Sequence, residues 1–319
     1  MILILSDRDE PTTDLVVDWL VFFQKEFVRI SSSSPLKIIK IYKTLGKFEV
    51  IFEISHFGKK ITIDSKDISA YWYRRSRITT TFSTLEVDDI DVRNMFHEFI
   101  KEEYKSAINI IHRILEHKKH INKISDAFGV DKLHNLQIAE ECGLQVPNTI
   151  LCNNKLDLTK FYNENKKNII TKPIGDSAVF FHNGFHLYTS KVSLASISDK
   201  FALSLFQENV IKEFELRIFY FNNTFYSSAV LSQLYQDTKI DLKNSAKTAN
   251  RIIPFDLPSI IQKKLRYFLE KINVNSGSID MIYSKNKEYY FLEVNPVGQF
   301  EQVSIPCNYN LFQKIAEYL

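Results

Sequence analysis

Two apolar stretches near the carboxyl terminus, GSID at residues 277–280 and FLEVNP at residues 291–296, decide the fold. The polar residues between them read as a turn, so we predict that the two stretches pair as a β-hairpin. In such a hairpin Asp280, Glu293 and Asn295 point to the same side of the sheet. Two carboxylates and an amide oxygen are ligands that suit Mg²⁺ bound to nucleotide phosphates. The alternative is a solvated acidic face, although the apolar neighbours would make unpaired burial of these carboxylates costly.

Basic side chains stand beside other apolar stretches upstream of this hairpin. Lys172 ends the stretch IITK and is followed by Pro173, and Arg217 lies within the strand-like stretch ELRIFYF. An ammonium supplies a point charge and a guanidinium a planar fork, and both bind phosphate or carboxylate. Lys132, at the start of a helical pattern, is a weaker signal of the same kind. Considered alone, a solvated surface charge is the better interpretation of each lysine, and it is the alternative for Arg217.

A third signal is the stretch LFQENV, residues 205–210, in which an apolar strand runs into polar residues. The backbone of such a segment can present N–H and C=O groups to the edge of a purine base. The alternative is an edge strand whose polar side chains face water. The residues of interest are Gln207, Glu208, Asn209 and Val210.

Composition places the chain among ordinary globular proteins. It has 319 residues, 45% of them hydrophobic and 25% charged, which argues against wholesale disorder. A formal net charge of +3 gives no reason to expect a nucleic-acid partner. The three cysteines include no CxxC pair, so we expect neither disulfides nor a zinc site. No apolar run approaches the ~20 residues needed to cross a bilayer, and we predict a cytoplasmic protein with no membrane partner.

The order of the elements predicts three domains. Strand and helix alternate over the first ~75 residues, as in a small α/β unit with a parallel sheet. The first helix opens at Pro11, with Leu15, Val16, Trp19 and Leu20 expected on its apolar face. A long amphipathic helix is predicted over residues 92–120. We place an N-terminal unit at residues 1–120, a central lobe at 121–207 and a C-terminal lobe at 208–319.

Taken in order, these motifs resemble the nucleotide site of the ATP-grasp superfamily. The resemblance implies an α/β and α+β chain: a Rossmann-like pre-ATP-grasp unit followed by two α+β lobes that clasp ATP. It implies that Lys132 and Lys172 contact phosphates and that the backbone around Gln207 and Glu208 holds adenine. The other implied roles are adenine contact for Asn209 and Val210, ribose contact for Glu215, γ-phosphate contact for Arg217, and two Mg²⁺ ions on Asp280, Glu293 and Asn295.

A narrower resemblance, to the ATP-grasp peptide maturases, extends over nearly the whole chain. These are the graspetide or microviridin-type macrocyclases, and this chain is most similar to the branch named grasp-with-spasm. The stretches that carry the similarity are residues 1–8, Asp18-Trp19-Leu20, Tyr71-Trp72-Tyr73-Arg74-Arg75, Ile170-Thr171-Lys172-Pro173-Ile174, Ser232-Gln233, Asn250-Arg251 and residues 254–258. Two stretches depart from that branch, at residues 234–238 and at 241–243, where Lys243 stands in place of an expected arginine.

The resemblance implies an ATP-dependent ligase. Such an enzyme activates Asp or Glu side chains of a ribosomally made precursor peptide and joins them to Ser, Thr or Lys as ω-esters or ω-amides. Arg251 and Lys247 are hypothesised to hold the acyl phosphate or the carboxylate. The implied partners are a precursor with a leader segment, a second copy in a homodimer and a radical-SAM/SPASM-type protein encoded nearby. A ligase of small molecules or protein tails, and a non-catalytic binding module, remain the alternatives.

Overall fold

The computed structural model describes residues 1–56, 58–82, 88–128, 131–175, 189–231 and 251–319, with the backbone alone at His56, Ala127 and Phe128. The chain divides into two compact units. The first comprises Met1–Gly129 together with Asn310–Leu319, and the second comprises Val130–Tyr309. None of the helices in the described ranges is both long enough and apolar enough to cross a membrane.

The first unit contains a parallel sheet with helices and a separate antiparallel sheet. The parallel sheet has the strand order β2-β1-β6-β7, and the antiparallel sheet has the order β3-β4-β5. The elements of this unit are β1 (Ile2–Ser6), α1 (Pro11–Phe22), β2 (Phe27–Ile30), β3 (Lys37–Thr44), β4 (Lys47–His56), β5 (Lys59–Asp64), β6 (Ala70–Arg74), α2 (Ile90–Glu116), β7 (Lys119–Ile121), α3 (Ile124–Phe128) and α8 (Leu311–Tyr318).

Strands β1 and β6 are buried along their whole length, as expected for the centre of a parallel sheet. Helix α1 begins at Pro11, and the carboxylate of Glu10 caps it by accepting a hydrogen bond from the amide of Thr13. Val16 and Leu20 are fully buried, as predicted. The expectation for Leu15 is wrong, because its side chain is 39% exposed and the buried face continues instead through Thr12 and Thr13.

The long helix is present but shorter than predicted. Helix α2 starts after the capping residue Asp89 and ends at Glu116, four residues before the predicted end. Residues Lys119–Ile121 form strand β7 instead, paired in parallel with Ala70–Trp72 of β6. This pairing involves residues far apart in sequence, so helical periodicity could not reveal it.

The second unit contains two antiparallel sheets. Their strand orders are β10-β9-β11-β8 and β14-β13-β12-β15-β16. The elements are α4 (Lys132–Glu141), β8 (Thr149–Asn154), α5 (Lys155–Glu164), β9 (Ile169–Lys172), β10 (Ser190–Lys191), β11 (Lys200–Glu208), β12 (Lys212–Phe221), β13 (Thr224–Val230), β14 (Ile252–Pro254), α6 (Ser259–Lys271), β15 (Ser276–Ser284), β16 (Tyr289–Asn295) and α7 (Glu301–Ser304).

One face of the five-stranded sheet forms the core of this unit. Leu216, Ile279 and Met281 are fully buried there and share a hydrophobic cluster with Leu265 and Phe268 of α6. The predicted hairpin of β15 and β16 is confirmed, with antiparallel pairing. Because side chains alternate along a strand, the opposite face of the same strands is left to carry polar groups.

Candidate active site

Three charged residues form a row across neighbouring strands of the five-stranded sheet. Arg217 on β12 is the cross-strand partner of Asp280 on β15, and Asp280 is in turn the partner of Glu293 on β16. Cross-strand partners project to the same face, so the three side chains lie side by side. The Arg217 guanidinium donates a hydrogen bond to the Asp280 carboxylate and forms an ion pair with it.

A β-bulge follows this row directly. The register shifts between Asp280 and Met281, so that Met281 pairs with Phe291 and Leu292 is the extra residue on β16. Bulges bend a strand locally and re-aim side chains. Here the bulge keeps Phe291 in the core while Glu293 stays opposite Asp280.

The charged row is partly open to solvent. Side-chain exposure is 23% for Arg217, 20% for Asp280 and 31% for Glu293. The alternating residues Leu216, Ile279 and Val294 face the apolar core. The strands therefore hold the charges on a rigid apolar support while the polar groups remain accessible to a ligand.

Two lysines from other elements approach the row. The Nζ atom of Lys132, at the start of α4, lies 3.7 Å from Oε2 of Glu293 and 3.4 Å from the carbonyl oxygen of Gly175. Burial lowers the pKa of Lys172 at the end of β9; the Glu293 and Asp280 carboxylates oppose this effect, and the Lys132 ammonium adds to it. The structure thus brings four predicted site residues, Lys132, Arg217, Asp280 and Glu293, into direct contact, with Lys172 in their electrostatic field.

Burial governs the protonation of the central ion pair. It raises the pKa of Asp280, and the neighbouring Glu293 and Glu215 carboxylates add to this effect while the Arg217 guanidinium offsets it. Burial disfavours charge on Arg217, but Asp280 and Glu215 outweigh it and raise the arginine's pKa above its ordinary value. A further cation at the carboxylates would favour the ionised form of Asp280.

Glu215 lies between two basic side chains on the same strand as Arg217. It pairs with the buried Lys212, and its Oε2 atom is 3.8 Å from Nη2 of Arg217. The sequence interpretation gave Lys212 no role. Residues three apart on a regular strand point to opposite faces. A register shift between Lys212 and Phe214 breaks that alternation and brings the ammonium to Glu215.

The segment from Gln207 to Val210 is held by strands on both sides. Gln207 is buried, and its Nε2 atom donates to Oγ1 of Thr149 at 2.9 Å. The backbone amide of Glu208 donates to the carbonyl of Asn148 at 2.8 Å, and that of Asn209 to the carbonyl of Asn168 at 3.0 Å. The amide of Val210 donates to the carbonyl of Glu208 at 3.2 Å.

Asn295 stands at the exposed end of β16, opposite Ser278. Close approach fixes this end of the strand. A β-carbon on Gly298 would lie 2.5 Å from the Ser278 side chain and 2.9 Å from the carbonyl oxygen of Asn295, so only glycine fits without a shift. Ser278 also donates from its hydroxyl to the carbonyl of Gln299 at 2.7 Å, which ties the turn after β16 back to β15.

The donor set on this face fits a hard cation. Asp280, Glu293 and Asn295 supply two carboxylates and an amide oxygen, the ligand types that Mg²⁺ prefers. In the described part of the chain, no three or more His, Cys, Asp or Glu side chains gather as a metal site. A metal here would therefore rest on two carboxylates together with the amide.

Of the two residues predicted to hold the acyl group, only Arg251 lies in the described part of the chain. Arg251 is exposed and precedes β14; its carbonyl accepts a hydrogen bond from the amide of Leu231. Strand β14 lies two strands away from β12, a separation of about 10 Å at the usual strand spacing. Lys247 lies outside the described residues, as do the two departures from the maturase pattern.

Comparison with solved structures identifies the class of fold. The chain is 26% identical to the macrocyclase MdnC of Microcystis aeruginosa, solved with its precursor peptide MdnA, with a TM-score of 0.73 over 100% of this chain and 98% of that chain. It is 24% identical to a RiPP-associated ATP-grasp ligase of Chryseobacterium gregarium, solved with ADP and a leader and core peptide, with a TM-score of 0.78 over 99% and 94% of the two chains. The ATP-grasp ligase PsnB, solved with a precursor variant, Mg and ADP, is 14% identical with a TM-score of 0.68 over 99% and 96%.

Comparisons of sequence identify the protein less clearly than the comparison of structures does. No protein-family model matches the chain. Among curated proteins, the chain is 25% identical over 282 residues to the RecBCD enzyme subunit RecB of Buchnera aphidicola; the match covers 83% of this chain and spans about a fifth (21%) of RecB. The solved ligases match over nearly the full length of both chains. They confirm the ATP-grasp fold and, with it, the resemblance to ATP-grasp peptide maturases that the sequence motifs indicate.

Proposed function

We propose that this chain is an ATP-dependent peptide ligase. It activates Asp or Glu side chains of a ribosomally made precursor peptide as acyl phosphates and closes ω-ester or ω-amide bonds to Ser, Thr or Lys of the same peptide. The observation that carries the proposal is the contiguous row Arg217–Asp280–Glu293, joined by Lys132, in a chain with the fold of a peptide macrocyclase. That arrangement provides cations for phosphate and carboxylates for a metal on one face.

The first step makes the carboxylate reactive. A carboxylate oxygen of the peptide attacks the γ-phosphorus of ATP, the bond from that phosphorus to the β-γ bridging oxygen breaks, and ADP leaves. Arg217 and Lys172 would neutralise the charge that the transferring phosphoryl group carries. Lys132 would hold the phosphates, with the backbone from Glu208 to Val210 at the adenine and Glu215 at the ribose.

The second step closes the ring. A hydroxyl or amine of the peptide attacks the acyl carbon and loses its proton as inorganic phosphate leaves, so each ring costs the peptide one water. Mg²⁺ held by Asp280, Glu293 and Asn295 would supply Lewis-acid stabilisation of phosphate oxygens. Arg251 and Lys247 stay proposed contacts of the activated carboxylate, and Arg251 would need the peptide to extend toward β14.

Further attributes follow from the maturase resemblance and belong to the same proposal. The chain is a member of the grasp-with-spasm branch, works in the cytoplasm and binds the leader of its precursor apart from the reacting core. We also propose a homodimer and a radical-SAM/SPASM-type partner encoded nearby. The two domain boundaries, after residues 120 and 207, are proposed on the same ground.

The test is intact mass spectrometry of the precursor peptide encoded next to this protein, after incubation with the protein, ATP and Mg²⁺. We expect stepwise loss of water that requires ATP, with fragmentation locating the linked residues. A gain in mass would instead favour a ligase that adds an amine or amino acid. An unchanged precursor mass despite ATP binding would contradict the proposal.

A matched pair of variants ties the chemistry to the row. Glu293→Gln removes one carboxylate of the row, whereas Glu270→Gln removes an exposed carboxylate from α6 of the same unit. We expect the first variant to lose ring formation and the second to retain it. Equal activity of the two variants would mean that Glu293 holds no metal.

A further inference from the structure

In the parallel sheet of the first unit, the direction in which successive strands are added changes between β1 and β6. From β1 the chain crosses through α1 to β2 on one side, and it later returns to β6 on the other side of β1. In open parallel sheets, ligands bind in the crevice outside the carboxyl ends of the two strands that flank such a switch point. Here those strands are β1, which ends at Ser6, and β6, which ends at Arg74.

The loops at this edge are tied together by one carboxylate. Oδ1 of Asp7, after β1, accepts hydrogen bonds from the Ser32 hydroxyl at 2.8 Å, the Ser32 amide at 3.2 Å and the Ser76 hydroxyl at 2.8 Å. Burial would raise the pKa of Asp7, but the hydrogen bonds from Ser32 and Ser76 lower it below its ordinary value. The ends of β1, β2 and β6 are therefore fixed relative to one another.

Two of the arginines near this edge are part of the fold. Arg74 is buried and forms an ion pair with Glu10 at 2.5 Å. Arg29 pairs with Asp14 and donates to the backbone carbonyl of Asp7. Each of these charges is balanced within the unit.

The next two arginines after β6 lie at the surface. Arg75 and Arg77 are both exposed and flank the buried Ser76. The backbone of Arg75 has a φ of +66°, a left-handed conformation that is uncommon for a residue other than glycine. Such a conformation directs a side chain away from the regular path of the strand, and it is held here although it costs energy.

The surroundings add hydroxyl donors and a small surplus of positive charge. The serine loop after β2 presents Ser33 and Ser34, and Nη2 of Arg8 lies 3.4 Å from Oγ of Ser34. The exposed charges of these loops are Arg8, Arg75 and Arg77 against Asp7 and Asp9. The Asp7 carboxylate is already engaged by the two serines.

We propose that the crevice at the carboxyl ends of β1 and β6 is a carboxylate-binding subsite in which Arg75 and Arg77 hold acidic side chains of the peptide substrate. Planar guanidinium forks bind carboxylates through paired hydrogen bonds, and serine hydroxyls can satisfy remaining oxygens. The choice of an acidic peptide as the ligand rests on the proposed function. The fixed loops mean that the site is organised before the peptide arrives.

The test uses two fluorescein-labelled peptides, (Glu-Thr)₅ and (Gln-Thr)₅, in equilibrium anisotropy titrations against the full chain. We expect the wild-type chain to prefer the acidic peptide. The double variant Arg75→Gln/Arg77→Gln should bind it at least about tenfold more weakly, the factor expected from losing one charge-assisted hydrogen bond, with the neutral peptide unaffected. Equal binding of the acidic peptide to both proteins, or no preference in the wild type, would overturn the inference.

Two further variants separate recognition from folding. Arg75→Gly removes the side chain while suiting the positive φ, so weaker binding by this variant cannot come from backbone strain. Arg93→Gln, an exposed arginine in the first turn of α2, is the matched control and should bind as the wild type does. Loss of binding in the control to the same extent would mean general charge attraction only, and would overturn the subsite.

Ring closure on the precursor distinguishes this inference from the proposed function. If the wild type closes rings and the Arg75/Arg77 double variant closes them with unchanged KM, the subsite inference fails alone. If the wild type closes no rings while the acidic preference depends on both arginines, the proposed function fails and the carboxylate site stands.

Discussion

The two units position charged residues in different ways. In the parallel sheet of the first unit, β1 and β6 are buried on both faces, and the one charged residue in these two strands, Arg74, is the last residue of β6. In the five-stranded antiparallel sheet of the second unit, one face packs on the main apolar core, and the opposite face carries Arg217, Asp280 and Glu293 within the strands beside an aromatic contact of Phe219 with Phe300. The charged groups of a site are therefore expected at the strand ends of a buried parallel sheet and on the face opposite the core of an antiparallel one.

The ion pairs of the two units also differ in the role that we expect for them. Arg74 and Glu10 form a pair whose arginine side chain is only 3% exposed, so we assign it to structure. Arg217 and Asp280 form a pair that is about one-fifth exposed and adjoins a second carboxylate, so we propose a catalytic role for it. Substitution of the two pairs should therefore change different properties.

The largest expected effect is on the catalytic pair. Asp280→Asn keeps the size of the side chain and removes the charge, so we expect kcat/KM for ring closure to fall about 100-fold or more, the range for losing one transition-state charge contact. The matched control is Asp199→Asn, whose carboxylate is 94% exposed in the same unit. Activity of Asp280→Asn within a few-fold of this control would break the assignment.

Lys172 should show a trade-off between activity and stability. Because burial lowers the pKa of Lys172, the folded state binds this proton less tightly than the unfolded state does. The ammonium therefore opposes folding at neutral pH, and this destabilisation decreases as the pH rises through the lowered pKa. We expect Lys172→Met to lose activity at least about tenfold while its thermal unfolding temperature is unchanged or higher. A clear fall in that temperature would show that the ammonium stabilises the fold instead.

Substitution in the buried pair Glu10–Arg74 should lower stability rather than activity. Glu10→Gln removes the carboxylate that forms an ion pair with the buried Arg74, and we expect the free energy of unfolding to fall by about 2–3 kcal/mol. Burial raises the pKa of Glu10, but Arg74 and Thr13 lower it below its ordinary 4.5, so the wild type holds this stability above pH 4.5 and loses it as pH falls further. Urea titrations at several pH values would show a smaller acid loss in the variant.

An exposed ion pair supplies the control for that measurement. Glu98 and Lys101 on α2 are 3.1 Å apart, with side chains 65% and 56% exposed. We expect Glu98→Gln to change stability by no more than about 0.5 kcal/mol. If the two glutamate variants lose equal stability, the structural assignment of the buried pair is wrong.

The smallest expected effect concerns the turn that fixes Asn295. Gly298→Ala places a β-carbon against backbone and against Ser278, and we expect a loss of about 1–3 kcal/mol in unfolding free energy. Gly175→Ala is the control, since nothing lies within 4 Å of its added β-carbon. Calorimetric scans of both variants would measure the difference, and equal unfolding temperatures would contradict the close packing.

Much of the second unit could be predicted because its signals are local. The hairpin of β15 and β16 follows from apolar stretches around a turn, whereas the bulge at Leu292 that places Glu293 opposite Asp280 is not marked in the sequence. Helix α4 follows from Asp131, which caps it, and from the glycine after its end. The fully buried strands β1 and β6 are likewise continuous apolar runs that end in charged residues.

The rest depends on contacts between residues far apart in sequence. Strand β3 is mostly exposed and rich in lysine, and helix α5 is short, so neither gives a strong periodic signal. The pairing of Lys212 with Glu215 needs a bulge that the sequence does not mark. The early end of α2 reflects the pairing of β7 with β6, which only the folded chain reveals.

The proposed function requires that ATP cleavage drives ring closure in the peptide. The most direct measurement counts ADP formed by a coupled assay and water lost by intact mass spectrometry in the same reaction with precursor and Mg²⁺. We expect one ADP for each water lost, and we expect neither ADP formation nor water loss with Asp280→Asn. Water loss without ADP, or steady ADP formation with an unchanged precursor, would contradict it.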